Sequence, residues 1–273
     1  MLIAAGLDRP LAEFTADRPT HWLARLFRPD IDDYRHAKPR RAIRNGIAYD
    51  LSLGDYIEWT IYFGIEHREK TALFSLAQTG QTVIDVGTNV GEVLMNFAQR
   101  VGPKGRAIGF EPNPETLARC RHNLALNSFA NAEVHGVALG AEPGSVRIGR
   151  PQQANAGADR VVHSDEGIEV RVTTIDEMVG TLGLERVDLI KIDVEGYDLN
   201  VLRGSAETIE RFRPTMFVEL CDSNLREQGD SASGLVEWLE QRGYQVSDGL
   251  TRESVRSSDD LGGCFRDILA RPA

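Results

Sequence analysis

The chain has 273 residues, 41% of them apolar and 7% aromatic, enough to bury a full core and too apolar for a disordered chain. Lys and Arg number 31 against 41 Asp and Glu, a formal charge of −10, which argues against broad phosphate-driven nucleic-acid binding. Cys120, Cys221 and Cys264 have no metal-ligand spacing, no apolar run reaches the roughly 18 residues of a membrane span, and Asp8, Arg9 and Pro10 stop the short apolar start, so the expectation is a chain with free thiols in a reducing, cytoplasmic compartment, without a signal peptide.

The first 42 residues, rich in Pro and Arg and weakly periodic, read as an N-terminal helical appendage. Residues 34–44 hold five Lys or Arg in eleven, a solvated arm or a contact for an anionic partner. Asn45-Gly46 is a favoured hairpin turn and predicts a short hairpin over 43–51. Residues 55–76 read as one helix. From 82 onward strands and helices alternate: strand 82–86, helix 92–101, strand 106–110, helix 114–126, strand 132–139, strand 187–192, helix 199–211, strand 215–220 and helix 234–242, with late strands at 244–246 and 265–270. Asn113 is placed to cap the second of these helices, with Pro114 at its first position. The alternation predicts βαβ units, hence a parallel sheet with helices on both faces. It lapses between about 140 and 180, where strands at 145–148 and 168–172 flank a polar loop, 152–165, that suits a cover over a site.

Residues 83–92 (VIDVGTNVGE) run from a strand through a glycine turn into a helix. Gly87 and Gly91 let the backbone turn tightly and approach a ligand, and Glu111, at the end of the next strand, is placed to accept ribose hydroxyls. Ligands of open α/β sheets bind at the carboxyl ends of the strands. A dinucleotide fingerprint would be G-x-G-x-x-G, yet the turn here is G-T-N-V-G with Asp85 before it. A carboxylate there repels a pyrophosphate and suits a cation. Glu111, Asp193, Glu195 and Glu219 fall at other strand ends with the same sign. S-adenosyl-L-methionine, which carries a sulfonium and an ammonium but no phosphate, fits that pattern. The alternatives are an NAD(P)-dependent oxidoreductase and a catalytically inactive S-adenosylmethionine-binding module. The pair Tyr34-x-x-x-Lys38 matches the Tyr/Lys pair of short-chain dehydrogenases but stands on the wrong side of the glycine turn.

With these segments, the chain resembles the FkbM family of S-adenosylmethionine-dependent methyltransferases. The resemblance is carried by residues 83–92, 108–114 (IGFEPNP), 134–140 (VHGVALG), 173–179 (TTIDEMV), 188–204 (DLIKIDVEGYDLNVLRG) and 213–220 (RPTMFVEL), and covers about 43–220. It implies a class I methyltransferase fold: a Rossmann-like three-layer αβα sandwich with a mostly parallel sheet and an antiparallel last strand, here over 43–273, with the N-terminal appendage before it. It implies a methyl transfer to a hydroxyl oxygen of a small metabolite or saccharide. By position Asp85, Gly87, Asn89 and Gly91 would line the methionine half of the cofactor. Glu111 would hold the ribose with Pro112 and Asn113 beside it, and Val137 and Ala138 would lie near the adenine.

Transfer from a sulfonium to an alcohol needs in-line alignment and exclusion of water, and a base or metal that lowers the hydroxyl pKa helps. The candidates are Lys191, Asp193, Glu195 and Glu219. Strand alternation puts Lys191 and Asp193 on one face, and Glu219 on the following strand is placed to pair with Lys191. Three roles stay open: a Lys191–Glu219 structural pair with Asp193 on the cofactor amine, a base among Asp193, Glu195 and Glu219, or joint coordination of a divalent ion such as magnesium. His135 reads as a core histidine. His163, Asn155 and Gly157 lie in the insertion, and Trp59, Tyr197 and Asp198 read as packing or capping residues.

Overall fold

A computed structural model describes residues 8–15, 30–35, 37–65, 68–149, 159–163 and 167–273. The polypeptide enters through helix α1 (Asp8–Thr15), a single 3-10 turn at Ile31–Tyr34, and the hairpin β1 (Arg40–Arg44) and β2 (Ile47–Leu51). Asn45 and Gly46 both take positive φ, 51° and 79°, as a two-residue hairpin of this hand requires. The boundary at 42 therefore falls inside β1. Ala12, Tyr34, Ile47, Tyr49 and Leu51 share one apolar cluster with Val90 and Met95 from beside the glycine turn, so these N-terminal segments pack on the site's own scaffold. Arg40, Arg41 and Arg44 of the basic stretch make contacts within the fold. Arg41 pairs with Asp50 at 2.9 Å, Arg44 donates to the Ile61 carbonyl at 3.0 Å, and the Arg40 guanidinium lies 5.2 Å from the centroid of the Tyr34 ring. Tyr34 is fully buried, which removes the dehydrogenase-like pair.

The single helix expected over 55–76 is two, α2 (Tyr56–Tyr62) and α3 (Arg68–Phe74). Gly64, at φ 62°, takes the left-handed conformation beyond the end of α2, and the helix ends before it. Next come β3 (Thr82–Val86), α4 (Glu92–Val101), β4 (Arg106–Phe110), α5 (Pro114–Ala125) and β5 (Ala132–His135). The Asn113 side chain accepts from Glu115 N, the expected cap. Asn123 on α5 and Asn127, two residues past its end, bond the outer edge of β2: Asp50 N donates to Asn123 Oδ1 and Ala48 N to Asn127 Oδ1, each at 2.9 Å.

The strand expected over 132–139 breaks at Gly136, where a side chain would overlap Leu117, and resumes as β6 (Ala138–Leu139) in a different sheet. That second sheet adds β7 (Gly144–Gly149), β8 (Arg160–Val162) and β9 (Ile168–Thr173), in order β6-β9-β7-β8. The insertion thus holds one strand more than expected. After α6 (Ile175–Thr181), β10 (Leu189–Ile192) returns to the main sheet. The helix expected over 199–211 is α7 (Asp198–Arg203) and α8 (Ala206–Phe212). Between them Gly204 passes so close to the backbone of Gly140 that a Cβ would run into its carbonyl oxygen. The chain closes with β11 (Thr215–Cys221), α9 (Asp222–Glu227), α10 (Ala232–Glu240), β12 (Tyr244–Asp248) and β13 (Phe265–Pro272).

The main sheet has order β12-β13-β11-β10-β3-β4-β5. β3, β4, β5, β10 and β11 run parallel, and β13 is antiparallel to both of its neighbours. One face carries Ile84, Val86, Ile190 and Val218 against the helices after β9 and β10, and the other carries Val83, Leu189, Phe217 and Leu269 against α3 and α4. Each large apolar side chain buried this way contributes about 1.5–3 kcal/mol. The result is the expected three-layer αβα sandwich, with the order reversing across β3 and β10 and a crevice at their carboxyl ends.

Candidate active site

The crevice begins where β3 ends. Gly87 (φ 78°) and Thr88 both donate their amides to the Phe110 carbonyl at 3.1 Å, so the turn is stitched to β4. Thr88 Oγ1 donates to the Asp85 carbonyl at 2.9 Å and accepts from Phe110 N at 3.0 Å. A Cβ on Gly87 would run into the carbonyl oxygen of Asp193. The loops after β3 and β10 therefore touch backbone to backbone, and only glycine fits between them. Gly91 (φ 94°) caps α4 and packs against Cys120 Sγ, which a Cβ there would meet at 3.0 Å.

Glu111 is buried and held on both oxygens: Asn89 N donates to Oε2 and Asn113 N to Oε1, each at 2.9 Å. Burial pushes its pKa up to about 7 against the pull of those two amides. Asn113 Nδ2 also donates to Asp159 at 2.6 Å, which ties the start of β8 to this end of the crevice.

Lys191 is nearly sealed in β10, opposite Asp85 in the parallel register. Its Nζ donates to the carbonyls of Val86 at 3.1 Å and Gly87 at 2.9 Å, and lies 3.3 Å from Asp85 Oδ1 and 3.6 Å from Asp193 Oδ2. Burial works against its charge, but Asp85 and Asp193 outweigh it and hold the ammonium above the ordinary lysine range. Asp85 is fully buried; desolvation raises its pKa and Lys191 partly offsets that. The partner of Lys191 is thus Asp85, with Asp193, and the expected Lys191–Glu219 pair does not form.

Asp193, Glu195 and Glu219 converge at the ends of β10 and β11, each offering a carboxylate oxygen within 4.8 Å of the others. Glu195 sits at φ 53°, uncommon for a residue with a side chain, and accepts from Asn224 Nδ2 at 2.8 Å. Burial and then Asp193 raise its pKa to about 7. Glu219 Oε2 is buried without a hydrogen-bond partner, and burial followed by the carboxylates of Asp193, Asp198 and Glu195 lifts the group to about 11. Asp198, the first residue of α7, accepts from the amides of Val194 and Gly196 and so shapes the loop before the helix. The trio has the oxygen donors a hard divalent ion takes.

Around these groups lies a cavity of about 280 Å³. Of the residues expected at the cofactor, Gly87, Asn89, Glu111, Pro112, Val137 and Ala138 line it, while Asp85, Gly91 and Asn113 stand behind the wall as supports. Lys191, Asp193, Glu195 and Glu219 line its other end. Tyr197, read from the sequence as a packing or capping residue, lines the cavity, and among the lining residues that the sequence reading did not single out are Asp159 and Arg160. Arg160 opens the strand inside the insertion and Asp159 immediately precedes it, and only the placement of that insertion as a cover pointed toward them. Arg160 pairs with Glu227 at 3.0 Å and Gln228 donates to the Val161 carbonyl at 3.0 Å, which docks β8 on α9. His135 stacks on Phe110 at 5.5 Å between ring centroids, and His163 is exposed. Asn155 and Gly157 lie outside the described residues.

A mostly parallel seven-stranded sheet with one antiparallel strand, a glycine turn after β3 and a buried acid after β4 define a class I methyltransferase. Sequence comparison agrees: the methyltransferase FkbM domain matches residues 85–246. The chain belongs to the FkbM methyltransferase family. Methyltransferase 1 of Beauveria bassiana is 27% identical over 186 residues, 60% of this chain and 72% of that protein. The 2-O-methyltransferase NoeI of Sinorhizobium fredii is 27% identical over 179 residues, covering 59% of this chain and 71% of NoeI. The hexuronic acid methyltransferase AglP of Haloferax volcanii is 27% identical over 139 residues, half of this chain and 55% of AglP.

Proposed function

We propose that the protein transfers a methyl group from S-adenosylmethionine to a hydroxyl oxygen of a small metabolite or saccharide. The observation that carries this is the cluster of Asp193, Glu195 and Glu219 facing Glu111 across one cavity. A ribose-binding acid at one end and an excess of carboxylates at the other suit a ligand with a ribose and a central positive charge. The cations of the wall, Lys70, Arg160 and Lys191, are each already paired with a carboxylate, so a diphosphate would find no spare counter-charge among the described residues. The donor supplies a methyl already activated on a sulfonium. In this reading Gly87 and Asn89 give the methionine half room against the turn, Glu111 accepts the ribose hydroxyls, and Val137 and Ala138 pack on the adenine.

Asp193 is the base of this reading. It is open to the cavity and stands 3.6 Å from Lys191. It takes the acceptor's hydroxyl proton as the oxygen attacks the methyl, so that the products are a methyl ether, the neutral thioether and a protonated Asp193. Glu219, with one oxygen unsatisfied, hydrogen-bonds the same hydroxyl and orients it. A relative that carries 2-O-methyltransferase in its name agrees with oxygen as the acceptor atom. Titration calorimetry with S-adenosylmethionine and with NAD(P) tests the donor, expecting binding of the first alone. Asp193→Asn tests the base: donor affinity is retained and methyl transfer falls by about 10²–10⁴-fold. Transfer unchanged by a chelator separates the base from a metal role for the three acids, and binding of NAD(P) alone would overturn the donor.

A further inference from the structure

The donor cavity opens into a second one of about 660 Å³, which shares with it Asp193 and Glu219 at the ends of β10 and β11 and Tyr56 and Ile57 at the start of α2. Phe217 of β11 contributes to its wall, and its far side is the turn after β12 and the start of β13. Three large apolar side chains stay open on its lining: Tyr56 at 43% exposed, Leu250 at 40% and Phe265 at 75%. Scattered exposed apolar residues are ordinary on a protein surface. These come from three separate segments and meet around one hollow beside the reacting groups.

The charges of this hollow are as informative. Each of its cations has its own carboxylate: Lys70 with Glu92, Lys191 with Asp85, and Arg266 with Asp248 at 3.7 Å. Asp193, Asp248 and Asp267 match those three cations, and Glu219, which burial lifts to about 11, adds a neutral acid. A phosphate or carboxylate entering here would find no unneutralised cation among the described residues, and desolvation without a partner is costly.

We propose that this second cavity is the acceptor site, and that it selects an uncharged hydroxylated ring with one apolar face, such as an aryl glycoside presents, with Phe265, Leu250 and Tyr56 setting the specificity. The inference rests on the methyl-donor reading of the adjoining cavity. A pyranose of this kind lays its C–H face on the aromatic rings and turns a hydroxyl toward Asp193 and Glu219.

The test uses the full chain saturated with S-adenosylhomocysteine, the demethylated donor, and follows binding of phenyl β-glucoside and phenyl β-glucuronide by ligand-observed NMR. The neutral glycoside is expected to bind at least about tenfold more tightly than the glucuronide. Phe265→Ala, at an exposed position that folding does not need, is expected to weaken the glycoside by about tenfold and leave S-adenosylhomocysteine affinity unchanged. Leu250→Ser repeats the test from another segment. No binding of S-adenosylhomocysteine would overturn the donor reading itself. With that ligand bound, the inference fails if the glycoside does not bind, if the glucuronide binds as well, or if both variants leave glycoside affinity where it was.

Discussion

Lys191 is the residue whose removal has the most readable consequence. Its ammonium lies 3.3 Å from a fully buried Asp85 and donates to two carbonyls at the end of β3. Lys191→Met keeps the volume and removes the charge. Asp85 is then left ionised without a partner or forced to take up a proton, and breaking a buried pair from one side costs about 3–5 kcal/mol. The Gly87 carbonyl loses its donor too, adding about 1 kcal/mol. Against a total stability of about 5–15 kcal/mol, the variant sits near the edge of folding. The double variant Asp85→Leu with Lys191→Met strands no charge and should regain at least about 2 kcal/mol over the single one. Urea unfolding, followed by far-ultraviolet circular dichroism and extrapolated to water, measures all four corners of the cycle. A single-variant loss below about 1 kcal/mol, or a double variant no better than additive, would refute the account of the pair.

Gly87→Ala meets both a positive φ and the Asp193 carbonyl, so a cost above the roughly 1–2 kcal/mol of the left-handed conformation is expected, with donor binding lost; a variant that binds normally contradicts the contact between the two loops. Glu111→Gln removes a carboxyl acceptor at the proposed ribose position and should weaken S-adenosylmethionine by about 10–100-fold in titration calorimetry. Donor binding should release protons: Glu195 titrates near 7 when the site is empty, and an adjacent cation that returns it to its ordinary 4.5 raises affinity about tenfold from pH 6 to pH 8. Affinity that falls over this range is the opposite sign and sinks that electrostatic reading. Glu111, Glu195 and Asp198 all titrate near 7 in the fold, above their unfolded values, so the folded state binds more protons between about pH 4 and 7 and stability falls as pH rises through that window. The unliganded protein should accordingly have a lower urea midpoint at pH 8 than at pH 5.5.

Much of the fold was legible because its strands are short apolar runs bounded by turn residues, and β3, α4 and β4 match their expected limits to the residue. The misreadings share a physical origin. Gly64, Gly136 and Gly204 break elements that periodicity joins, and at Gly136 and Gly204 the reason is a tertiary contact, with Leu117 and with Gly140, which no local pattern encodes. α6 was missed although Thr174 caps it in the ordinary way, its side chain accepting from Glu177 N, because it lies in a stretch read as inserted strands. At the site, the convergence of the acids was legible from their positions at strand ends. Their division of labour was not, since nothing in the chain shows that Asp85 is sealed behind Lys191 or that Glu219 keeps an oxygen unsatisfied.

The backbone contact between Gly87 and Asp193 bears on how such an enzyme changes over time. It bolts the glycine turn after β3 to the loop after β10, to which the proposed reaction assigns the donor and the base, with no slack for drift. The second hollow is framed instead by α2 near one end of the chain and by the turn and strand near the other, segments that meet in space and mutate independently. With the acceptor in that hollow, as proposed, new specificities can be tried at the periphery while the spacing of the two loops is inherited unaltered.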